Sequence, residues 1–209
     1  MRRVPHAQPS PLVSPSARLP REFFFRPSPV VARDLLGCWM VRRLDDRDLR
    51  VQVCETEAYL GATDPASHAF RGRTARNSMM FAQAGTAYVY FVYGMHHCFN
   101  VVTGPEGEPQ AILIRAAANG VGTQGASLAG PALLCRALGI DRRHNGEDLC
   151  LPGTGSIWFE AGAGEPLQVQ QTPRIGVHDQ SPMRFVVTLV REGRHPLDKK
   201  ERAPRGSLH

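Results

Sequence analysis

The sequence lacks the usual features of metal-binding, disulfide-linked and membrane-spanning proteins. Its five cysteines are odd in number, widely spaced and without a C-x-x-C pair, so we expect buried, reduced thiols. Neighbouring residues of a strand point to opposite faces, so His96, His97 and Cys98 cannot easily share one ion, and we predict no metal and no cofactor. The N-terminal segment lacks the apolar core of a signal peptide, and no later run is apolar enough to span a bilayer. We therefore expect a soluble, cytoplasmic protein.

Acidic residues are absent from residues 65–105, although this stretch contains Arg71, Arg73 and Arg76. All four tyrosines of the chain lie within or just before it, and the formal net charge of the whole chain is +6. A cationic surface rich in aromatic side chains is suited to holding phosphates and stacking on bases. The composition therefore favours a polyanionic partner, although net charge alone does not identify one.

The length of 209 residues, of which 42% are hydrophobic, fits one domain with tails. Residues 1–20 are rich in Pro, Ser and Arg, and residues 192–209 are polar, so we expect both segments to be loose. Residues 21–191 are predicted to form the folded domain.

Most of the folded domain has the pattern of β-strands. Helices are predicted at Ser28, as N-cap followed by Pro29, and from Pro131 to Leu138. Eight runs favour strands: 38–43, 49–58, 87–92, 96–103, 111–118, 157–159, 167–171 and 184–190. Because the helices do not alternate with the strands, we predict an α+β fold, with one curved, largely antiparallel β-sheet, flanking helices and a protruding β-hairpin.

Two carboxylates and a phenol lie at the end of the second predicted strand. On an extended chain Glu55, Glu57 and Tyr59 share one face. A solvated sheet face is the simplest explanation, but a long irregular connection rich in aromatic and Arg residues follows, which favours a functional site. Arg115 lies in a later apolar run and should have a carboxylate or phosphate partner.

A second feature is the turn of the hairpin predicted over residues 87–103. Tyr93 and Met95 lie at its tip. Exposed Tyr and Met side chains reduce solubility unless they insert into a partner. In the alternative interpretation both side chains fold back onto the core.

Several motifs occur together and in a fixed order between about Phe24 and Phe185. They are E-T-E-A-Y-L-G at 55–61 with Asp64 and His68, G-R-T at 72–74 with Arg76-Asn77, G-T at 85–86 before Y-V-Y at 88–90, Y-G-M at 93–95 with Asn100, L-I-R-A at 113–116, Gly130-Pro131, L-G-I at 138–140 and P-R-I-G-V at 173–177. Together they resemble the 3-methyladenine (alkylpurine) DNA glycosylase family.

The resemblance implies a base-excision repair enzyme that flips alkylated or deaminated purines out of duplex DNA and hydrolyses the N-glycosidic bond. Glu57 would activate the water, and Arg115 would help to hold it. Tyr59, His68 and Tyr90 would form the walls of the base pocket. Double-stranded DNA with damaged purines is the expected partner, bound by a monomer that associates with the nucleoid in a bacterium.

The resemblance also assigns contacts with DNA. Tyr93 would fill the space that the flipped nucleotide leaves, and Met95 would intercalate beside it. Arg73 and Arg76 would contact the DNA backbone. Asn100 would select against normal guanine; alternatively, it only hydrogen-bonds the hairpin backbone.

The chain departs from the family pattern at Leu133, where a basic residue is usual, and near Met183 and Val186, where an aromatic residue is usual. Two other functions are open on the residues alone. One is a non-catalytic protein that binds distorted DNA, and the other is a small-molecule hydrolase with Glu55 and Glu57 as an acid–base pair. Because no carboxylate is predicted opposite this pair, we expect Glu55 to have a structural role. We also expect a monofunctional enzyme, since the only lysines lie near the C-terminus.

Overall fold

The fold is built around one long central strand. A computed structural model describes residues 18–92, 94–162 and 167–188. Its strands are β1 (Trp39–Leu44), β2 (Arg47–Tyr59), β3 (Ala87–Val92), β4 (His96–Thr103), β5 (Gln110–Val121), β6 (Ile157–Glu160), β7 (Val169–Thr172) and β8 (Arg184–Val187). Three short helices accompany them, α1 (Arg21–Phe24), α2 (Ser28–Asp34) and α3 (Pro131–Ala137).

The eight strands form one sheet with the order β3-β4-β5-β2-β1-β6, and β8 pairs with both β2 and β7. All the pairings between these strands are antiparallel. On one edge of β2 the first half of the strand pairs with β1 and the second half with β8, while β5 follows its other edge. Register shifts against β5 occur around Val53, Glu55 and Thr56. Such bulges bend a strand and increase its twist, which accounts for the curl of the sheet.

The predicted α+β class and antiparallel sheet are confirmed. The eight predicted strands are all present, two of them with the predicted ends and the others with ends that differ by at most three residues; residues 189 and 190 of the last predicted strand lie outside the described residues. The prediction that Ser28 is an N-cap is wrong: Pro27 is the N-cap, and Ser28 is the first helical residue. The Ser28 hydroxyl donates to the backbone carbonyl of Tyr59 at 3.2 Å, so a tertiary partner takes the group that would have capped the helix.

The main core lies between the three helices and one face of the sheet. Phe24, Val31 and Leu134 of the helices pack in one cluster with Phe99 and Ile112 of the strands, and each is fully buried. A second, smaller cluster lies under the connection between β2 and β3, residues 60–86. It contains Ala69, Met80, Tyr88, Val102 and Ala111.

The first described residue, Arg18, forms an isolated β-bridge with Glu160, and Leu19 is buried. Residues 1–17 and 189–209 lie outside the described residues, so the tail boundaries stay predictions.

All five cysteines are free thiols, and three of them are buried. No helix in the described ranges is long and apolar enough to cross a membrane.

Candidate active site

A cavity of about 380 Å³ lies on the sheet face that is turned away from the main core. The alternation along each strand separates the two faces. On β3, Val89 belongs to the main core and Tyr90 lines the cavity; on β2, Ala58 belongs to the core and Tyr59 lines the cavity. The connection over residues 60–86 covers this face. The volume is in the range of about 300–1,000 Å³ that is common for small-molecule pockets.

The cavity brings together the side chains that the sequence assigned to catalysis and base binding. Its lining includes five of the predicted residues, Tyr59, His68, Tyr90, Asn100 and Arg115. Glu57, the sixth, is fully buried and is not itself part of the lining. It lies one layer behind the wall, because its three donors belong to residues that line the cavity.

Glu57 is held by three groups. Its Oε1 atom accepts a hydrogen bond of 2.8 Å from the backbone N–H of Ile175 and lies 3.4 Å from Nη1 of Arg115. Its Oε2 atom accepts a hydrogen bond of 2.9 Å from the Tyr59 hydroxyl. A buried carboxylate is tolerated when it is paired and hydrogen-bonded in this way. Three of its roughly four acceptor positions are occupied, which leaves one for a further donor.

Arg115 is shared by two carboxylates, as expected for an arginine in an apolar run. Its Nε atom donates to Oε1 of Glu55 at 3.0 Å, and the same oxygen accepts from Nε of Arg184 at 2.6 Å. Nη1 of Arg184 in turn donates to the Thr172 hydroxyl at 3.1 Å. Glu55 therefore holds Arg115 in position beside Glu57, which agrees with the structural role expected for it.

The aromatic wall of the cavity consists of His68, Tyr88 and Tyr90. The rings of His68 and Tyr90 meet edge to face, with centroids 4.5 Å apart. Nδ1 of His68 lies 3.0 Å from the Tyr88 hydroxyl. Burial raises the pKa of Tyr88 to about 12 and also raises the pKa of Tyr90. Burial, together with the charge of Arg76, lowers the pKa of His68, so the wall carries no charge at neutral pH.

Asn100 both lines the cavity and bonds the backbone of the hairpin. It lines the cavity, and its Nδ2 group donates to the backbone carbonyl of Tyr88 at 3.0 Å. A longer contact of 3.5 Å joins the same group to the carbonyl of Cys98. The amide is thus fixed by the hairpin backbone while its side chain faces the cavity. A role in selecting the base stays a prediction.

Two arginines of the acid-free stretch are exposed on the connection that covers the cavity. Arg73 and Arg76 are both exposed, and their guanidinium groups lie 5.5 Å from the Phe81 ring and 5.7 Å from the Tyr90 ring, respectively. The loop that carries them is pinned by Asn77, which is buried and bonds the carbonyls of His68 and Gly72 through its side-chain amide. Two exposed guanidinium groups are therefore held on this connection, and that of Arg76 lies next to Tyr90 of the cavity wall.

The hairpin of β3 and β4 is confirmed, and Val92 pairs with His96 at its end. Met95 is 69% exposed, so the alternative in which it folds back onto the core is wrong for this residue. Phe91 is also exposed and packs against His97. Tyr93 lies outside the described residues, and its assignment as an intercalating residue stays a prediction.

Three contributors to the site received no role from the sequence. Tyr88 forms part of the wall, Arg174 packs on Tyr59, and the Ile175 amide bonds Glu57. For Tyr88 the signal was present, since it alternates with Tyr90 on the same strand. The contribution of the Ile175 backbone amide could not be recognised in the sequence, because every residue except proline has such an amide.

Within the described ranges, no three His, Cys, Asp or Glu side chains gather closely enough to hold a metal ion.

A cavity with an aromatic wall, a buried carboxylate behind it and exposed arginines on the connection that covers it is suited to a planar ring carried by an anionic chain. The chain belongs to the methylpurine-DNA glycosylase family, whose family model matches residues 22–190. This confirms the resemblance found in the motifs.

Relatives from three organisms are provisionally named 3-methyladenine DNA glycosylases. The relative from Streptomyces avermitilis is 46% identical over 80% of this chain and 86% of its own length. That from Methanocella arvoryzae is 43% identical over 76% and 84%, respectively. That from Carboxydothermus hydrogenoformans is 43% identical over 80% and 93%.

Proposed function

We propose that this chain is a monofunctional glycosylase of base-excision DNA repair. It flips alkylated or deaminated purines out of duplex DNA and hydrolyses the N-glycosidic bond with a water that Glu57 activates, leaving an abasic site. The observation that carries the proposal is the buried carboxylate directly behind a cavity with an aromatic wall. Family membership and the names of the relatives support the same class of substrate.

The cavity walls suit a flipped base. A base in a duplex hides its glycosidic bond, so the nucleotide must leave the stack, at a cost of a few kcal/mol that is least for damaged bases. Stacking a base on an aromatic side chain contributes about 1–3 kcal/mol. The rings of Tyr59, His68 and Tyr90 all face the cavity, and together they can offset most of the cost of flipping.

Glu57 supplies the base for hydrolysis. Its remaining acceptor position takes a proton from water while the water oxygen forms a bond to C1′ of the deoxyribose. The bond between C1′ and the purine nitrogen breaks, and its electron pair leaves with the base. An alkylated purine is positively charged and departs as a neutral molecule, whereas a neutral deaminated purine departs with a negative charge and takes a proton from water. General-base assistance of this kind accelerates reactions by about 10²–10⁴-fold, and the negative charge of Glu57 also stabilises the cation that develops on the sugar.

The surface around the cavity provides the contacts with DNA. Arg73 and Arg76 are exposed on the connection that covers the cavity and can pair with phosphates. The exposed side chain of Met95 at the end of the hairpin is suited to enter the base stack. We assign the wedge that replaces the flipped nucleotide to Tyr93, which lies between β3 and β4 in the sequence. Asn100 faces the cavity and would exclude guanine by contact with its 2-amino group.

The proposed reaction needs neither a metal nor a cofactor, because water is the nucleophile and Glu57 is the base. It also stops at the abasic site. Cleavage of the strand by a lyase step requires an amine that forms a Schiff base, and the only lysines of the chain are Lys199 and Lys200. We propose that a monomer carries out the whole reaction.

The proposal is tested with duplexes that contain a methylated purine, hypoxanthine or ethenoadenine. After incubation with the protein, abasic sites are revealed by alkaline cleavage. We expect abasic sites in at least the methylated duplex, in proportion to the enzyme added. Tight binding to the damaged duplexes without any abasic site would instead identify a non-catalytic protein that recognises damaged DNA.

A further inference from the structure

Arg174 is an arginine almost entirely removed from solvent, with a side chain that is 1% exposed. Two parallel contacts of 2.5 and 2.9 Å join it to Asp64, and a third of 2.6 Å joins it to Asp179. Burial of a guanidinium group is costly unless charged partners compensate it. The two carboxylates provide this compensation and fix the guanidinium plane. Nothing in the proposed hydrolysis uses this group directly.

Arg174 lies next to the groups that donate hydrogen bonds to the two oxygens of the Glu57 carboxylate. Its Nη1 atom donates to the backbone carbonyl of Ala58 at 3.0 Å, and its guanidinium group lies 4.7 Å from the centre of the Tyr59 ring. Tyr59 is the donor to Oε2 of Glu57. The next residue of the chain, Ile175, is the backbone donor to Oε1. Arg174 therefore holds two of the three donors of Glu57.

We propose that Arg174 is a positioning residue for Glu57. It joins the connection between β7 and β8 to the end of β2, so that the Ile175 amide and the Tyr59 hydroxyl meet the carboxylate from two sides. Asp64 and Asp179 orient the guanidinium group for this purpose. The inference rests on the proposed role of Glu57 as the base.

A buried arginine also contributes to stability, and a matched control must separate the two effects. Arg50 is this control. Its guanidinium group lies 5.4 Å from the centre of the Trp39 ring, and its Nη2 atom lies 2.6 Å from Oε2 of the buried Glu160. Arg50 thus has the same combination of an aromatic ring and a carboxylate as Arg174, but it lies at the other end of β2 and does not line the cavity. Arg50→Met and Arg174→Met both remove a stacked, paired guanidinium group, although the Arg50 side chain is 34% exposed and the Arg174 side chain 1% exposed.

The experiment measures single-turnover excision from a methylated duplex over a range of enzyme concentrations, at a temperature where melting curves show every variant folded. We expect Arg174→Met to lower the maximal rate by about 10- to 100-fold, the cost of a misplaced catalytic group. The half-saturating concentration should change by less than about threefold, since binding is not affected. Arg174→Lys should recover part of the rate, and Arg50→Met should keep the rate of the parent. Equal rates in Arg174→Met and Arg50→Met, or a loss confined to binding, would overturn the proposal.

If Arg174→Met does not fold, Asp179→Asn tests the positioning role instead. This variant keeps Arg174 and weakens its pairing with Asp179, the more exposed of its two carboxylate partners. A smaller fall in the maximal rate is then expected, and an unchanged rate would overturn the proposal. Glu57→Gln is measured in parallel. Full activity of Glu57→Gln would refute the proposed function itself, whereas an inactive Glu57→Gln beside an unaffected Arg174 or Asp179 variant would refute only the positioning role.

Discussion

The substitution Glu57→Gln is the most direct test of the proposed chemistry because glutamine keeps the shape of glutamate. The side-chain oxygen of Gln can accept from the Ile175 amide, and its NH₂ group can donate to the Tyr59 oxygen, so the two short hydrogen bonds of 2.8 and 2.9 Å can be retained. What is lost is the negative charge and the ability to take a proton from water. The site is thus left in place without its base.

The expected fall in the excision rate follows from the loss of the base. Loss of general-base assistance predicts a fall of about 10²–10⁴-fold in the single-turnover rate, which corresponds to about 3–5 kcal/mol of barrier. The cost in stability should be smaller, about 1–3 kcal/mol, because Arg115 keeps its 3.0 Å contact with Glu55. The glutamine variant should therefore fold, bind the damaged duplex and fail to release the base.

Glu55→Gln is the matched control, since it makes the same change in the same cluster. Glu55 contacts Arg115 and Arg184 but neither Tyr59 nor Ile175. Single-turnover excision from methylated and hypoxanthine duplexes should fall by no more than about tenfold in this variant, because only the support of Arg115 is weakened. Full activity of Glu57→Gln, or equal losses in the two variants, would refute the assignment of Glu57 as the base.

Three further outcomes are expected. Tyr93→Ala should weaken binding to a damaged duplex and slow excision from it without lowering the melting temperature; unchanged affinity and rate would show that Tyr93 is not the wedge. Asn100→Ser should raise the excision of undamaged guanine relative to hypoxanthine, because the smaller side chain leaves room for the 2-amino group; an unchanged ratio in an active variant would mean that guanine is excluded elsewhere. Borohydride should trap no covalent protein–DNA adduct during excision; an adduct that disappears when Lys199 and Lys200 are replaced would contradict a monofunctional reaction.

The parts of the site that lie on regular strands could be predicted from the sequence. Alternation along β2 predicts that Glu57 and Tyr59 share a face, and the two are joined by a 2.9 Å hydrogen bond on the cavity side of the sheet. The place of Tyr90 in the same cavity was implied by the family resemblance instead. The physical rule that an arginine in an apolar run needs a partner predicted a carboxylate or a phosphate for Arg115, and both Glu55 and Glu57 lie within 3.4 Å of it. These inferences depend only on local geometry and on the cost of burying charge.

The hydrogen bond from the Ile175 amide to Glu57 comes from 118 residues further along the chain, and it could not be predicted in this way. It depends on β8 pairing with the end of β2, because this pairing brings the connection after β7 against the cavity. In sequence, Arg174 and Asp179 are charges in a polar loop, which ordinarily indicates exposure to solvent. Only the tertiary pairing buries Arg174 and directs the next amide at the carboxylate. A main-chain donor has no side chain to identify it, so the residue that holds its loop, Arg174, is the position at which a substitution can test its contribution.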